Sequence, residues 1–177
     1  MIDDRASGAR RVFAFLIDYL LLAVYAAGLS AIAFAFGPDV GASPADFAGK
    51  LRGHAIAFAT LTAPVVLYFA VLETSPLHGT LGKRVLGLRV EAGNGARLGT
   101  ARSLVRSAVK FLPWEIAHFA IWYVPGRPFL DPMPTTNIVI SLGAIAVAVV
   151  YVISALVWRR TPYDLIAGSY VRQRARR

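Results

Sequence analysis

The sequence predicts an all-α fold, a polytopic transmembrane helical bundle with four spans, and three observations lead to this prediction. Of the 177 residues, 56% are hydrophobic and only 16% are charged, whereas soluble domains carry about 25% charged residues. Several apolar runs approach or exceed the length of about 20 residues that crosses a bilayer as a helix. Basic residues are concentrated in alternate connections between these runs. The chain is therefore expected to be an integral membrane protein.

Four segments are expected to cross the membrane, at about 12–36, 55–73, 103–124 and 137–158. The first is longer than the apolar part of a cleavable signal peptide, typically about 7–15 residues, and is expected to remain as an anchor. The third contains an apolar run only from Phe111 to Val124. It spans fully if its helix begins near Ser103 and if Arg106 and Lys110 extend to the headgroups. The alternative is a re-entrant or interfacial segment.

The distribution of positive charge predicts the orientation. Sixteen of the 19 basic residues lie in the N-terminal segment, in the connection between spans two and three, and in the tail. Cytoplasmic loops carry the excess of Lys and Arg, so both termini and the long middle loop are expected in the cytoplasm. This requires an even number of crossings. The net charge of +9 then indicates contact with the lipid bilayer and its anionic headgroups, and nucleic acid is not an expected partner.

The middle loop is expected to contain a short interfacial helix or a hairpin. Residues 80–90 place apolar side chains on one helical face, which suits a helix lying on the membrane. Gly93-Asn94-Gly95 is a turn signal that could close a small hairpin. The transmembrane domain is expected to extend over 1–171, followed by a disordered basic tail at 172–177.

Asp18 is the only ionisable side chain in the first apolar run. A charge at that depth costs about 2.5–3.5 kcal/mol on insertion scales, so Asp18 is expected to have a polar or basic partner from another segment. The candidates are Lys83, Arg84, Arg106 and Arg160. A proton or cation site and a structural ion pair both remain open. Arg11 lies one heptad earlier and points toward the headgroups, whereas Asp164 follows the last span and is expected to be ionised in water.

Glu115 and His118 are three residues apart and share a helix face in the third span. A hydrogen-bonded polar pair is the favoured interpretation, and such a pair could titrate near neutral pH. Glu-x-x-His also occurs in di-iron bundles, but those need the motif twice, so no metal or other cofactor is predicted. The chain has no cysteine. No catalytic arrangement can be assembled, and an enzyme is not expected.

Three sequence blocks resemble the RDD family of membrane proteins. They are Arg11-x-x-Ala14-x-x-Ile17-Asp18, the stretch from Thr80 to Val90, and the stretch from Arg160 to Gly168. The family is named for one arginine and two aspartates, which the resemblance assigns to Arg11, Asp18 and Asp164. One departure is Tyr163, where histidine is expected before the aspartate. The resemblance implies a bacterial inner-membrane protein, and transport of an unknown ligand has been proposed for the family.

The sequence indicates two candidate functions. The first is transport of a small solute or ion, or an accessory role in it, with Asp18 as the intramembrane charge. Four helices are few for a pore, so transport favours a homo-oligomer. The alternative is a non-catalytic module that assembles with other membrane proteins or organises lipid.

Overall fold

The computed structural model describes residues 5–35 and 45–174. Four long helical segments dominate it, as the fold class predicts. In chain order the elements are α1 (Gly8–Ala35), α2 (Phe47–Ala57), a π-helical turn (Phe58–Thr62), α3 (Ala63–Thr74), α4 (Leu81–Val85), β1 (Leu88–Ala92), α5 (Thr100–Trp122), α6 (Thr135–Val157), α7 (Pro162–Ala167) and β2 (Ser169–Gln173). The predicted end of the first span at Phe36, the loop residues 37–44 and the last three residues of the tail lie outside the described residues.

Three helical segments are long and apolar enough to cross a membrane, namely Gly8–Ala33, Phe47–Thr74 and Thr135–Val157. The fourth, α5, has 23 residues and is therefore about 34 Å long, enough for a hydrocarbon core of about 30 Å. It is less apolar because its first half carries Arg102, Arg106 and Lys110. Four long helices thus agree with the predicted four-span bundle.

The second span begins earlier than the sequence suggests. Its helix begins at Phe47, where the side chain of Asp46 caps the N-terminus by accepting a 3.0 Å hydrogen bond from the N–H of Gly49. Residues 47–53, expected in a loop, are therefore helical. The helix then passes through the π-helical turn just before Pro64, which lacks an N–H and crowds the carbonyl four residues earlier.

Polarity in this fold is inverted relative to a soluble protein. Large apolar side chains on the long helices are exposed, for example Leu20, Val139 and Ile153. The buried residues include many polar and charged ones, among them Asp18, Glu73, Thr80, Ser103, Arg106, Ser107, Thr161, Asp164 and Ser169. Soluble monomers rarely expose apolar surface on this scale. The exposed apolar helix faces suit lipid, and the buried side chains carry the polar interactions.

The residues divide into two compact units. The first comprises Met1–Leu21, Val65–Lys110 and Val149–Arg177. It contains an antiparallel pair in which β1 runs against β2 with Val90 opposite Val171. Both valines are buried in a small apolar core with Ala6, Ala14, Leu88, Ala92 and Leu98. Arg5 forms a bridge with Arg172 on β2.

These strands change three expectations, two for the loop and one for the tail. The helix expected over 80–90 ends at Val85, and β1 follows it. The turn at Gly93-Asn94-Gly95 closes only one bridge, between Glu91 and Arg97, because β1 pairs along its length with β2 instead. Arg172 and Gln173 belong to β2 and are ordered by that pairing.

The second unit comprises Leu22–Pro64 and Phe111–Ala148. Its helix ends are held by side chains that satisfy backbone carbonyls. Asn137 Nδ2 donates 2.7 Å to the carbonyl of Ala120 in the last turn of α5, and Lys50 Nζ donates 2.5 Å to that of Val124. The loop after α5 contains an ion pair between Arg127 and Asp131.

Candidate functional site

Asp18 is fully buried and accepts three hydrogen bonds. Its Oδ1 accepts from the hydroxyl of Tyr68 at 2.9 Å and from the backbone N–H of Gly82 at 2.8 Å, while Oδ2 accepts from the hydroxyl of Thr80 at 2.5 Å. Thr80 and Gly82 are the N-cap and a first-turn residue of α4. A carboxylate on α1 therefore satisfies an unpaired amide at the start of α4.

Gly82 makes this contact possible. A Cβ at this position would overlap the backbone carbonyl of Ala14 and lie 3.0 Å from the Asp18 carboxyl carbon. Only glycine lets the α4 backbone come so close to α1. This explains on physical grounds why the Leu-Gly-Lys-Arg stretch has glycine here.

The partners of Asp18 differ from those expected. Of the four proposed cations, Lys83 reaches Asp18 only through Thr80, to whose hydroxyl it donates at 3.3 Å. Arg106 binds other carboxylates, and Arg160 stacks on the ring of Tyr170 at 4.2 Å. Arg84 is half-buried and makes no side-chain hydrogen bond or ion pair with the described residues. The expectation of a polar or basic partner from another segment is met by the hydroxyls of Tyr68 and Thr80, whereas none of the four candidate cations donates directly to Asp18.

Asp164 is also fully buried, which corrects the expectation that water surrounds it. It lies at the third position of α7 and forms a capping box with Thr161, whose N–H and hydroxyl donate to Oδ2 at 3.0 and 2.7 Å. Arg11 forms an ion pair with the same oxygen. Oδ1 accepts from Arg106 Nε and Nη2 at 2.9 and 2.6 Å.

The charges around Asp164 determine its ionisation. Burial alone would raise the pKa of this carboxyl group. The guanidinium groups of Arg106 and Arg11, together with the hydrogen bonds from Thr161, outweigh burial and hold the pKa of Asp164 well below its usual value. The carboxylate is therefore ionised throughout the physiological pH range.

Arg106 joins Asp164 to a third buried carboxylate. Its Nη1 donates to both oxygens of Glu73, at 2.6 and 2.5 Å, and Glu73 also accepts from Lys83 Nζ at 3.0 Å. The planar guanidinium group presents several donors in a fixed geometry, which lets one side chain bind two carboxylates. The ring of Tyr163 lies 5.1 Å from the Arg106 guanidinium, where the family pattern leads one to expect histidine.

These contacts form one continuous chain of polar groups, defined here as the buried polar chain. It runs through Arg11, Asp164, Arg106, Glu73, Lys83, Thr80, Asp18 and Tyr68. Lys110 lies beside it, with its amine 3.3 Å from the ring centre of Phe69. The buried polar chain connects α1, α3, α4, α5 and α7.

Sequence reasoning found part of this chain. The sequence indicates Arg11, Asp18, Lys83 and Asp164, and it offers Arg106 as a candidate partner of Asp18, but it does not identify Glu73, Thr80 and Tyr68 as partners. The sequence of α5 does indicate a buried polar face. Its polar residues recur at helical spacing and so lie on one side of the helix, namely Ser103, Arg106, Ser107 and Lys110. Glu73 was detectable only as an acidic residue ending an apolar run.

Glu115 and His118 lie in the second unit and are not part of the buried polar chain. Glu115 binds His54 and Thr62, while His118 Nδ1 is 3.9 Å from the Glu115 carboxylate. Within residues 5–35 and 45–174, no group of three or more His, Cys, Asp or Glu side chains is arranged to hold a metal ion.

Long apolar helices around buried charged groups define a multi-pass integral membrane protein. The chain belongs to the RDD family, whose family model matches residues 5–168. The match includes Arg11, Asp18 and Asp164, so the buried polar chain contains the arginine and both aspartates that the sequence resemblance singled out. No curated protein and no solved structure is similar enough to the chain to count as a match.

Proposed function

We propose that this protein moves a small solute or ion across the bacterial inner membrane, or assists in doing so, with Asp18 as the exchanging charge. The supporting observation is the buried polar chain from Asp18 to Asp164. Ionisable side chains within membrane helices are costly and commonly mark ion or substrate pathways. No catalytic step is proposed for any of these residues.

Asp18 is the member of the chain best suited to exchange. Glu73 and Asp164 each bind two basic side chains directly. The donors to Asp18 are two hydroxyl groups and one amide, which carry only partial positive charge. A proton or a small cation could therefore neutralise Asp18 without displacing an arginine or a lysine.

The proposed orientation places both termini and α4 on the cytoplasmic side. It rests on the concentration of 16 of the 19 basic residues in the N-terminal segment, the middle loop and the tail. Asp18 lies about 10 Å farther along α1 than Arg11. In this orientation the buried polar chain lies in the inner leaflet, and the neighbouring loop arginines meet anionic headgroups.

A second candidate function is a non-catalytic module for membrane assembly or lipid organisation. Glu73 and Asp164 are each paired with two basic side chains, and this favours the assembly module. A fully paired charge network fixes one arrangement of helices and does not require that any ion be transported. In that case the buried polar chain holds the N-terminal helix, the middle loop and the tail together. Either function is compatible with a homo-oligomer or with other membrane proteins as partners.

Flux in proteoliposomes separates the two candidates. Purified protein is reconstituted, and movement of protons and of monovalent cations is followed with entrapped dyes under imposed gradients. Transport predicts a flux above that of protein-free liposomes, which Asp18→Asn abolishes. Asp131→Asn is the matched control, since it makes the same chemical change in an exposed loop pair.

Absence of flux from well-folded wild-type protein, at several protein densities, would contradict direct transport of these ions and favour the assembly module. Equal flux from wild type and Asp18→Asn would remove Asp18 from the pathway. A folded state is confirmed for each variant by size-exclusion chromatography and by thermal unfolding in detergent. These controls separate a lost pathway from a lost structure.

A further inference from the structure

A second polar cluster lies in the other unit, between α2 and α5, and is independent of the proposed transport function. At its centre is Glu115 on α5. Glu115 Oε1 lies 2.8 Å from His54 Nε2, and Oε2 accepts a 2.8 Å hydrogen bond from the hydroxyl of Thr62. Each carboxylate oxygen thus has one partner from the second helical segment.

His118 lies one helical turn after Glu115 but is not engaged in the same way. Its Nδ1 is 3.9 Å from Glu115 Oε2, beyond hydrogen-bond distance. This nitrogen is buried and makes no hydrogen bond within the described part of the chain. A buried polar atom without a partner is uncommon and requires a physical reason.

Aromatic rings surround both imidazoles. The ring centre of Trp114 is 4.7 Å from that of His118, and Trp122 stacks on His54 at 6.2 Å. Tyr123 meets the edge of His54 at 5.6 Å. Indole faces attract cations, so this environment accommodates a charged imidazolium better than an aliphatic one would.

The other charged groups that the structure describes in this unit belong to two other places. They are Asp46, Lys50 and Arg52 near the start of the second span, and Arg127 and Asp131 in the loop after α5. Lys50 is held by the carbonyl of Val124, and Arg127 by Asp131. The parts of α1 and α6 in this unit, residues 22–35 and 135–148, carry no charged side chain. Among the described residues of this unit, Glu115 is therefore the anion that faces His118.

We propose that His54, Glu115 and His118 form a proton-binding site in which His118 is the acceptor. A hydronium ion of the solvent gives a proton to the lone pair of His118 Nδ1 and leaves as water, and the charge of the cluster rises by one. The new N–H then donates to Glu115 Oε2, closing the 3.9 Å gap. His54 keeps the carboxylate in place from the other side. Imidazole is the side chain whose charge ordinarily changes between pH 5 and pH 8, so this is the range in which protonation of His118 is tested.

The tryptophans of the protein can report the protonation of His118 through their fluorescence. It contains three tryptophans and three histidines, and Trp114 and Trp122 contact the two histidines of the site. Trp158→Phe removes the remaining tryptophan, which is 65% exposed. Intrinsic fluorescence is then recorded between pH 5 and pH 8 in the full chain. A reversible loss of emission on acidification is expected, because imidazolium quenches indole more strongly than neutral imidazole.

Two substitutions identify the acceptor. His118→Gln is expected to remove most of the amplitude. Glu115→Gln is expected to move the midpoint to lower pH, since the amide no longer stabilises the imidazolium with a negative charge. His78→Asn is the control, because His78 belongs to the other unit and has a positive φ of 55° that asparagine tolerates. It is expected to leave the transition unchanged.

A measurement on the wild-type protein keeps the test independent of variant folding. With ¹⁵N-labelled histidine, the ring-nitrogen shifts report the protonation of each imidazole directly. His118 should gain a proton at Nδ1 between pH 8 and pH 5. A His118 ring that keeps one protonation state throughout, or a full fluorescence transition in folded His118→Gln, would overturn the proposal.

Discussion

Arg11 and Asp164 are 153 positions apart in the chain and form a direct, buried ion pair. One lies in the first turns of α1 and the other in α7, after the last long helix. Arg106 binds the other oxygen of the same carboxylate at 2.6 Å. Asp164 is therefore the anion that joins the beginning, the middle and the end of the chain.

The first prediction follows from this pairing. Asp164→Asn leaves Arg11 without its carboxylate and Arg106 with Glu73 alone, and removing one partner of a buried pair costs about 3–5 kcal/mol. Asp18→Asn weakens bonds from hydroxyl and amide donors only, some of which the Asn carbonyl oxygen still accepts, and it leaves no buried cation unpaired. Thermal unfolding in detergent should therefore show the larger loss for Asp164→Asn. Equal losses would show that the Arg11 and Arg106 contacts contribute little.

The second prediction concerns acid stability. Because the pKa of Asp164 is lower in the folded than in the unfolded state, its contribution is fully present above the unfolded value of about 4. It is lost as the pH falls below that value toward the folded pKa. Wild-type stability should drop steeply between about pH 4 and pH 2. Asp164→Asn should drop less, and parallel curves for the two proteins would count against this assignment.

The third prediction tests the close approach at Gly82. A methyl group there overlaps the Ala14 carbonyl and crowds Asp18, so Gly82→Ala should destabilise by about 1–3 kcal/mol. Gly28→Ala is the matched control within α1, since a Cβ at Gly28 meets nothing within 4 Å. That control should be neutral or slightly stabilising. Similar unfolding temperatures for both variants would refute the packing argument.

The fourth prediction concerns the carbonyls that two prolines leave without a helical partner. Pro64 cannot donate to Thr60, and Pro113 cannot donate to Val109. The hydroxyl of Tyr25 donates to the Thr60 carbonyl at 2.5 Å, and that of Tyr151 donates to the Val109 carbonyl at 3.1 Å. Tyr25→Phe and Tyr151→Phe should each cost about 0.5–1.5 kcal/mol.

A double-mutant cycle gives the control for this prediction. Pro64→Ala restores an N–H that can donate to Thr60, so Tyr25→Phe should cost less in that background. The Tyr151→Phe cost should be unaffected by Pro64→Ala, because its carbonyl acceptor lies in another helix. Strict additivity between Tyr25 and Pro64 would show that the hydroxyl does not replace the missing donor.

The fifth prediction is the orientation. A cytoplasm-active reporter fused after Arg177 should be active, and one fused within the loop before Arg127 should not be. The matched pair uses a periplasm-active reporter at the same two positions and should give the opposite pattern. A tail reporter active only outside would reverse the proposed placement of the middle loop.

The long helices could be predicted from sequence because lipid imposes a length and a composition that each helix shows locally. The boundary at Phe47 was missed because the first two turns of α2 contain Lys50 and Arg52, which resemble a loop. The sequence predicts a helix and a turn over residues 88–92 because the partner strand lies some 80 positions later along the chain. Pairing between strands so far apart leaves no periodic pattern in the local sequence by which either strand could be identified.

The sequence predicts several residues of the candidate site, but it does not predict which of them bind each other. Asp18 and Arg11 stand out because charge is rare in and around apolar runs. The partner of Arg11 is Asp164, whose burial depends on how α7 packs and is invisible in the flanking residues Arg159 and Arg160. Glu73 was overlooked because a single acidic residue at the end of a span is also common where the chain enters water.

The capping of Asp164 within α7 has a consequence for biogenesis. The ribosome delivers Arg11 early, then Glu73 and Arg106, and Asp164 only after the last long helix has been made. Until the six-residue α7 emerges, Arg11 lacks its carboxylate and Arg106 has only Glu73. Insertion of the helices and neutralisation of their charges are thus separate events in time. A nascent chain that stalls before α7 would hold Arg11 without its buried carboxylate partner.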